Sequence, residues 1–357
     1  MAFAHLHIHT HYSVDDSIVK VPELFEKASE LGLAGIAITD PSILSGVPEF
    51  LACSKQYPDI KPVVGCHFNL TNHIPHDVVD ANNMQLFTIE LLAKDLAGYH
   101  NLMKLSTIAC TDAGDFVPRI SHKLLEEHHD GLICLSGGML GEVSQAMLEG
   151  GMRKAKKAAE WYKTVFREDF YLEVSLHKRE RSMVASVYDN YMKLYAELDE
   201  LYTTEKELLR KLARLGREME IKLVATNPVR FLNRDDAVAH DTYCSWKIGQ
   251  RMSDEDRPRF THLEYLRSEK EMRKLFSYYP EAVDNAAKIL DKIGRYSIHR
   301  DFSMPHVSDN QKQELRDAVY DGARKKYGSV DEKLRERIEY ELRIITEKGY
   351  NAYFCNR

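Results

Sequence analysis

The first half of the chain alternates short apolar segments with amphipathic ones, a pattern typical of strands followed by helices. Residues 2–9 have period two, which places small and aliphatic side chains on one face and aromatic and histidine side chains on the other. A helix is predicted from Val21, because Pro22 fits a first turn, and Gly32 ends it. Residues 33–39 are nearly all apolar, as expected of a strand buried on both faces.

Five further segments have the length and composition of strands. They are 62–70, 86–93, 131–136, 170–175 and 222–226. Helical segments between most of them predict βαβ units and a parallel sheet. Seven strands in one domain-sized stretch favour an α/β fold with a closed or nearly closed barrel over two small sheets.

The character of the sequence changes beyond about residue 231. The segments that follow are predicted to be helical: 235–247, 268–276 and the highly charged 311–348. Ile338, Leu342 and Ile345 form a narrow apolar stripe on the last of these. We therefore expect a barrel domain over residues 1–285 and a helical segment over 286–357.

Composition excludes several classes of protein. With 49 Lys+Arg against 55 Asp+Glu, the chain has a net charge of −6, unlike a free-standing nucleic-acid binder, so any DNA contact requires a local basic patch or another domain. No apolar run approaches the ~20 residues of a membrane span. The six cysteines include no C-x-x-C pair, which argues against a zinc ribbon or a disulfide framework and favours a cytoplasmic location.

The most specific chemical signal is His7-x-His9. Two histidines two apart on a strand point to the same side, so both imidazoles can reach one metal ion, although a polar cluster filling the barrel mouth would look the same. In such barrels function lies at the carboxyl ends of the strands. His67 belongs to that end of the third strand, and three histidines suffice for a single zinc-like site.

The sequence resembles a known family in several segments. Residues 4–13, Ala-His-Leu-His-Ile-His-Thr-His-Tyr-Ser, resemble the opening of PHP (polymerase and histidinol phosphatase) domains. The following segments resemble, more narrowly, the alpha subunits of bacterial DNA polymerase III: 36–40, 44–46, 60–65, 91–95, 98–102, 131–138, 224–227, 267–272 and 341–354. The resemblance implies a distorted seven-stranded (β/α) TIM-like barrel, the PHP fold, followed by the truncated start of a polymerase palm region.

The same resemblance implies that the family's metal site is degenerate here. His7 and His9 match the first ligand pair and Asp16 the next acidic position, while His67 stands where the family has glutamate. Other ligand positions are occupied by Pro41 (after Asp40), Thr88, Gly138 and Pro228-Val229-Arg230. Proline and glycine offer no side-chain ligand, and a guanidinium repels a metal ion. We expect Arg230 to pair with Asp16 or Asp40, which are possible remnants of the metal site.

The first functional hypothesis is a structural and docking role for a catalytically silent barrel within a replicative DNA polymerase. The alternatives are an active metal-dependent phosphoesterase or 3′-5′ exonuclease of the PHP family, and a free-standing interaction protein. No cofactor is expected in this chain beyond a possible single zinc or manganese ion, with magnesium in the full-length polymerase. Implied partners are the rest of the polymerase chain, a proofreading exonuclease subunit and other replicase subunits, with DNA bound only through the full-length protein.

Overall fold

A computed structural model describes residues 3–14, 16–71, 85–112, 117–180, 191–254, 257, 259–298 and 308–355. The chain divides into two compact units, Met1–Tyr296 and Ser297–Arg357. The boundary expected after residue 285 lies inside a helix, Pro280–Lys292. Among the described residues, no helix combines the length and the hydropathy required to cross a bilayer.

The strands of the first unit form one mixed, curled sheet. They are β1 (Ala4–His5), β2 (Gly35–Ile38), β3 (Lys61–Thr71), β4 (Phe87–Ala93), β5 (Ile120–Ser121), β6 (Leu132–Leu135), β7 (Phe170–Val174) and β8 (Lys222–Ala225). Their order is β1-β2-β3-β4-β6-β7-β8, with the short β5 paired to β3. Each of the seven predicted strands is found, within a few residues of its predicted ends, whereas β5 is not predicted by the sequence pattern.

The prediction of a wholly parallel sheet is wrong at β4. This strand runs antiparallel to both of its neighbours, β3 and β6, while the remaining pairs are parallel. The hydrophobic pattern of a buried strand reads the same in either direction, so the sequence could not reveal the reversal. A parallel bridge between Ile8 and Val229 joins the two edge regions of the sheet, which gives the curled sheet its barrel-like closure.

Helices surround this sheet, and the predicted α/β barrel-like class is confirmed. They are α1 (Val21–Glu30), α2 (Val47–Ser54), α3 (Leu96–Thr111), α4 (His122–Glu127), α5 (Glu142–Phe166), α6 (Tyr191–Met219), α7 (Ala237–Lys247), α8 (Glu269–Leu275) and α9 (Pro280–Lys292). As predicted, α1 carries proline in its first turn and is followed by Gly32 with φ +64°. A capping box of Ser268 and Glu271 begins α8.

The second unit consists of α10 (Gln311–Tyr327), α11 (Glu332–Glu347) and α12 (Asn351–Cys355). The predicted helical segment 311–348 is therefore two helices. Gly328, with φ +77°, ends α10, and the Asp331 side chain accepts a hydrogen bond from the Leu334 N–H at the start of α11. The stripe predicted from Ile338 and Leu342 packs in the small core of this unit.

Candidate metal centre

Three histidines meet at one end of the barrel. His7 and His9 follow β1 and are fixed by backbone hydrogen bonds with Val229, from His9 N (2.9 Å) and to His7 O (3.1 Å). His67 lies in β3, and the ring centroids of the three imidazoles are 5.2–5.8 Å apart. One nitrogen from each ring lies within 4.8 Å of the others. The predicted trio is assembled, and its binding of an ion stays a prediction.

Each histidine of the trio has a carboxylate behind it. His7 Nδ1 lies 2.9 Å from Glu173 Oε1, and His9 Nδ1 lies 3.1 Å from Asp16 Oδ2. His67 Nδ1 contacts Glu90 Oε1. Because an ionised carboxylate only accepts hydrogen bonds, Nδ1 is the donor in each pair and Nε2 is left to face the pocket. Metal-binding histidines are oriented in proteins by such carboxylate partners.

The inner nitrogens of His7 and His9 lie close to each other and to a carboxylate oxygen. His7 Nε2 is 3.2 Å from His9 Nε2 and 3.3 Å from Glu90 Oε1, so two lone-pair atoms and a carboxylate oxygen meet at one point. Burial disfavours the imidazolium at His7, but Glu90 and Glu173 outweigh it and raise the pKa of His7. Burial lowers the pKa of His9 to about 3, against the attraction of Asp16. The two imidazoles therefore differ in how readily they take up a proton, His7 more readily than His9.

Two further carboxylates, neither of them among the predicted metal ligands, line this pocket. Glu90 and Glu173 are buried, and one oxygen of each, Oε2, has no partner among the described residues. Glu173 Oε1 also accepts from Thr226 Oγ1 at 2.7 Å. A charged residue inside an otherwise apolar strand was the available signal in both β4 and β7, because such a residue is buried only with a partner.

Reversal of β4 explains why the sequence did not point to Glu90. A parallel β4 would place its carboxyl-terminal residues at the barrel mouth, whereas the antiparallel register pairs Glu90 directly with His67. Thr88 instead donates from Oγ1 to the Gly137 carbonyl at 2.7 Å. Glu90 and Glu173 therefore add two buried carboxylates beside the predicted histidines.

Arg230 lies against the pocket as predicted, and of the two expected partners it pairs with Asp16. Its Nη2 is 3.3 Å from Asp16 Oδ2, and its guanidinium stacks 4.6 Å from the centre of the Phe260 ring. Burial opposes the charge on Asp16, but His9 and Arg230 together lower the pKa of Asp16. An ion pair therefore neutralises Asp16, and Arg230 does not point into bulk solvent.

Asp40 is engaged elsewhere. It accepts hydrogen bonds from Thr10 N (2.7 Å), Thr10 Oγ1 (2.8 Å) and Ser13 Oγ, which fix the loop after β1. Burial raises the pKa of Asp40 despite these bonds. Within the described part of the chain, neither Asp40 nor Asp16 belongs to a group of three or more metal-ligating side chains.

The loop after β6 has a backbone that favours glycine. Gly137 has φ +77°, and a Cβ there would lie 1.9 Å from the Thr88 carbonyl oxygen. Gly138 has φ +60° and open space beside it. A larger residue at Gly138 would fit sterically but only in a strained conformation. This part of the mouth therefore supplies no side-chain ligand.

The family of the chain follows from its similarity to known proteins. Residues 5–177 match the family described as "PHP domain". The chain contains a PHP domain. The histidine trio, Glu90 and Glu173 all lie within the matched residues, whereas Arg230 lies beyond them.

Relatives that match the chain along most of its length are longer proteins. The chain is 30% identical over 361 residues to "DNA polymerase III subunit alpha" of Borreliella burgdorferi, which covers 99% of this chain and 29% of that protein. It is 32% identical over 319 residues to the protein of the same name from Chlamydia trachomatis, covering 86% and 25% of the two chains. The chain thus matches these alpha subunits along nearly its whole length but spans under a third of theirs.

One solved structure, an amidohydrolase from Chromobacterium violaceum, aligns with 64% of this chain and 88% of that chain at 11% identity. The TM-score of 0.30 is too low to bear on fold or function.

Among the described residues, the ligand atoms of the PHP pocket are placed to hold one ion. The two groups of ligand atoms that lie within 4.8 Å of one another, His7-His9-His67 and His7-Glu90-Glu173, share His7 and so describe one locus. The unpartnered Glu90 and Glu173 oxygens are compatible with a cation there. A second ion nearby would meet the Arg230 guanidinium paired with Asp16.

Proposed function

We propose that this chain is the N-terminal PHP region of a replicative DNA polymerase alpha subunit and that it contributes structure and a docking surface, not hydrolysis. The observation that carries this proposal is the match to alpha subunits along 99% of the chain. Template-directed DNA synthesis would then belong to the full-length protein, together with its magnesium site and its contacts with the template.

The PHP pocket supports a silent role because Asp16 and Asp40, its two aspartates, are already engaged. Hydrolysis by clustered metal ions needs carboxylates free to bridge the ions and a position for an activated water. Here Asp16 is held by His9 and Arg230, and Asp40 by Thr10 and Ser13. These contacts lie inside the barrel mouth. Opening them would leave a largely buried charge without a partner, which costs free energy.

A single zinc or manganese ion at His7, His9 and His67 is a second proposal for the same pocket. The three Nδ1–carboxylate pairs favour it, because they leave Nε2 of each imidazole available as a ligand. When bound, such an ion would supply Lewis-acid chemistry or a purely structural crosslink. The carboxylates orient the imidazoles. A proton and a metal ion would compete for His7 Nε2, since a ligating nitrogen cannot also carry a proton.

The alpha-subunit assignment implies partners for this chain. The rest of the polymerase chain, a proofreading exonuclease subunit and other replicase subunits are the proposed ones. They are supported by the similarity to alpha subunits and by no individual contact among the described residues.

Metal content and hydrolysis, measured on the same preparation, test the proposal. The chain is purified without chelators, analysed for metals, and assayed with p-nitrophenyl phosphate and 3′-labelled DNA in added zinc or manganese. We expect at most one equivalent of metal and no metal-dependent hydrolysis. His7→Ala/His9→Ala should remove any bound ion, whereas His129→Ala, a histidine outside the pocket, should not.

Two or more equivalents of metal, or hydrolysis abolished by His7→Ala/His9→Ala, would overturn the silent pocket in favour of the phosphoesterase. Less than about a tenth of an equivalent would remove the single-ion proposal and leave the structural role intact.

A further inference from the structure

A large basic cleft lies on the first unit, away from the histidine trio. It is formed by the chain following β7, one face of α6, and α8 with the residues after it, and it encloses about 1230 Å³. Pockets for small ligands are typically ~300–1,000 Å³. The cleft therefore has room for part of a polymer.

The lining of the cleft is strongly cationic although the chain as a whole carries −6. Eight Lys and Arg side chains line it, against two carboxylates, Glu180 and Glu271. Both carboxylates are taken up internally, because Arg234 contacts Glu180 and Glu271, and Arg267 lies 3.1 Å from Glu180. The two lining carboxylates are thus already paired with lining arginines.

Four of the lining cations have no ion-pair partner among the described residues. Lys206, Arg210 and Arg217 on α6 and Lys274 on α8 are exposed and form no ion pair with any described residue. Spacings of four and seven residues put the three α6 side chains on one helix face. Like charges four apart on a helix repel, so the Lys206–Arg210 pair costs stability. Arg214, four residues after Arg210, instead pairs with Glu218 at 2.7 Å.

Aromatic side chains stand among these cations. Tyr202 and Tyr278 line the cleft, and Tyr278 is 89% exposed. Lys178 lies 5.9 Å from the centre of the Tyr202 ring. Grooves that combine unpaired cations with accessible aromatic rings bind single-stranded nucleic acids, because phosphates meet the cations and unstacked bases stack on the rings.

We propose that the cleft lined by Lys206, Arg210, Arg217, Lys274 and Tyr278 binds single-stranded nucleic acid. The bound strand would run along α6 with its phosphates against the basic stripe and a base on Tyr278. An acidic protein segment could use the cations but would have no use for the exposed ring. This site departs from the expectation that DNA is reached only through the full-length polymerase, and it is independent of the pocket's metal content.

The test is the fluorescence anisotropy of a labelled dT16 oligonucleotide titrated with the full chain at low salt. Lys206→Glu/Arg210→Glu should weaken binding by roughly tenfold or more, since two phosphates then face negative side chains. The neutral Lys206→Gln/Arg210→Gln should weaken it less and flatten the dependence of log K on log salt by about 0.7 for each phosphate that is no longer neutralised. Tyr278→Ser should weaken it about fivefold.

The matched control is Lys104→Glu/Lys211→Glu, which makes the same charge change at two exposed lysines that do not line the cleft. It should leave most of the affinity for dT16 in place. Circular dichroism melts of all variants confirm that each is folded, which is expected because the substituted side chains are exposed and unpaired.

Three results would overturn the proposal. They are absence of dT16 binding at low salt, equal reductions of affinity in the cleft variants and the control, and displacement of dT16 by polyglutamate as effective as by unlabelled dT16. Tighter binding of a duplex hairpin than of dT16, unaffected by Tyr278→Ser, would replace the single strand by a duplex and so reject the site as stated.

Discussion

The barrel mouth and the basic cleft both contain many charged groups, but they differ in whether those groups form ion pairs. In the mouth, His7, His9 and His67 are each paired with a carboxylate, and Arg230 pairs with Asp16. In the cleft, Lys206 and Arg210 stand side by side with no described carboxylate to neutralise them. Burial separates the two regions, because charges removed from water need partners and charges in water do not.

This difference indicates where an external ligand is needed. In the mouth, the histidines and Arg230 already have carboxylate partners, so a ligand there competes with internal contacts. A solvated set of like charges repels itself and is relieved by an anion. The cleft therefore has the properties of a binding surface, whereas the structural role of the PHP pocket is a proposal that metal analysis tests.

The largest expected difference in stability comes from replacing an arginine by methionine in each region. Arg230→Met removes the partner of Asp16 and the contact with Phe260, and should lower the free energy of unfolding by about 2 kcal/mol, since both charged groups are mostly buried. Arg210→Met should change it by no more than ~0.5 kcal/mol. Urea unfolding at neutral pH measures both, and equal effects would mean that the mouth is as solvated as the cleft.

Lowering the pH should affect the barrel interior and spare the cleft. His5 lies two residues before His7, its Nε2 donates to the Arg267 carbonyl at 2.7 Å, and burial lowers its pKa to about 4. The folded protein keeps His5 neutral while the unfolded chain takes up a proton below about pH 6.5. Stability is therefore lost as the pH falls from about 6.5 towards 4.

The size of this effect can be isolated by difference. Between pH 7 and pH 5, the wild-type chain should lose about 2 kcal/mol more stability than His5→Gln, because about 1.5 pH steps at about 1.4 kcal/mol each lie within that window. Other buried histidines titrate in both variants and cancel. Chemical denaturation at the two pH values measures this difference, and parallel decreases would show that His5 is protonated in the folded chain. Affinity for dT16 should change little, since His5 does not line the cleft.

Parts of this comparison could be predicted from the sequence and parts could not. Strand positions followed from buried apolar runs, and the meeting of His7, His9 and His67 followed from period two and the barrel rule, because both are local or topologically repeated patterns. The sequence allowed two partners for Arg230. The choice between Asp16 and Asp40 depended on Thr10 and Ser13, whose bonds to Asp40 are a matter of three-dimensional loop geometry.

The remaining features depend on contacts between distant segments. The direction of β4, and with it the pairing of Glu90 with His67, is set by which neighbours the strand finds. The cleft draws its cations from residues 178–274, and its net charge is visible only when the two walls face each other across the same space. The net charge of the whole chain, −6, gives no sign of this local positive charge.

The smallest expected effect is a gain in stability. Lys206→Glu replaces a repelling neighbour of Arg210 by an attracting one, with the acid on the N-terminal side of the base, the better orientation at a spacing of four. The free energy of unfolding should rise by about 0.5 kcal/mol, while affinity for dT16 falls. Lys104→Glu offers the control, since its exposed side chain does not line the cleft. A stabilised variant that binds less nucleic acid would mean that α6 keeps its repelling stripe at the expense of stability because a ligand uses it. A variant neither stabilised nor weakened in binding would mean that the stripe is ordinary solvated surface.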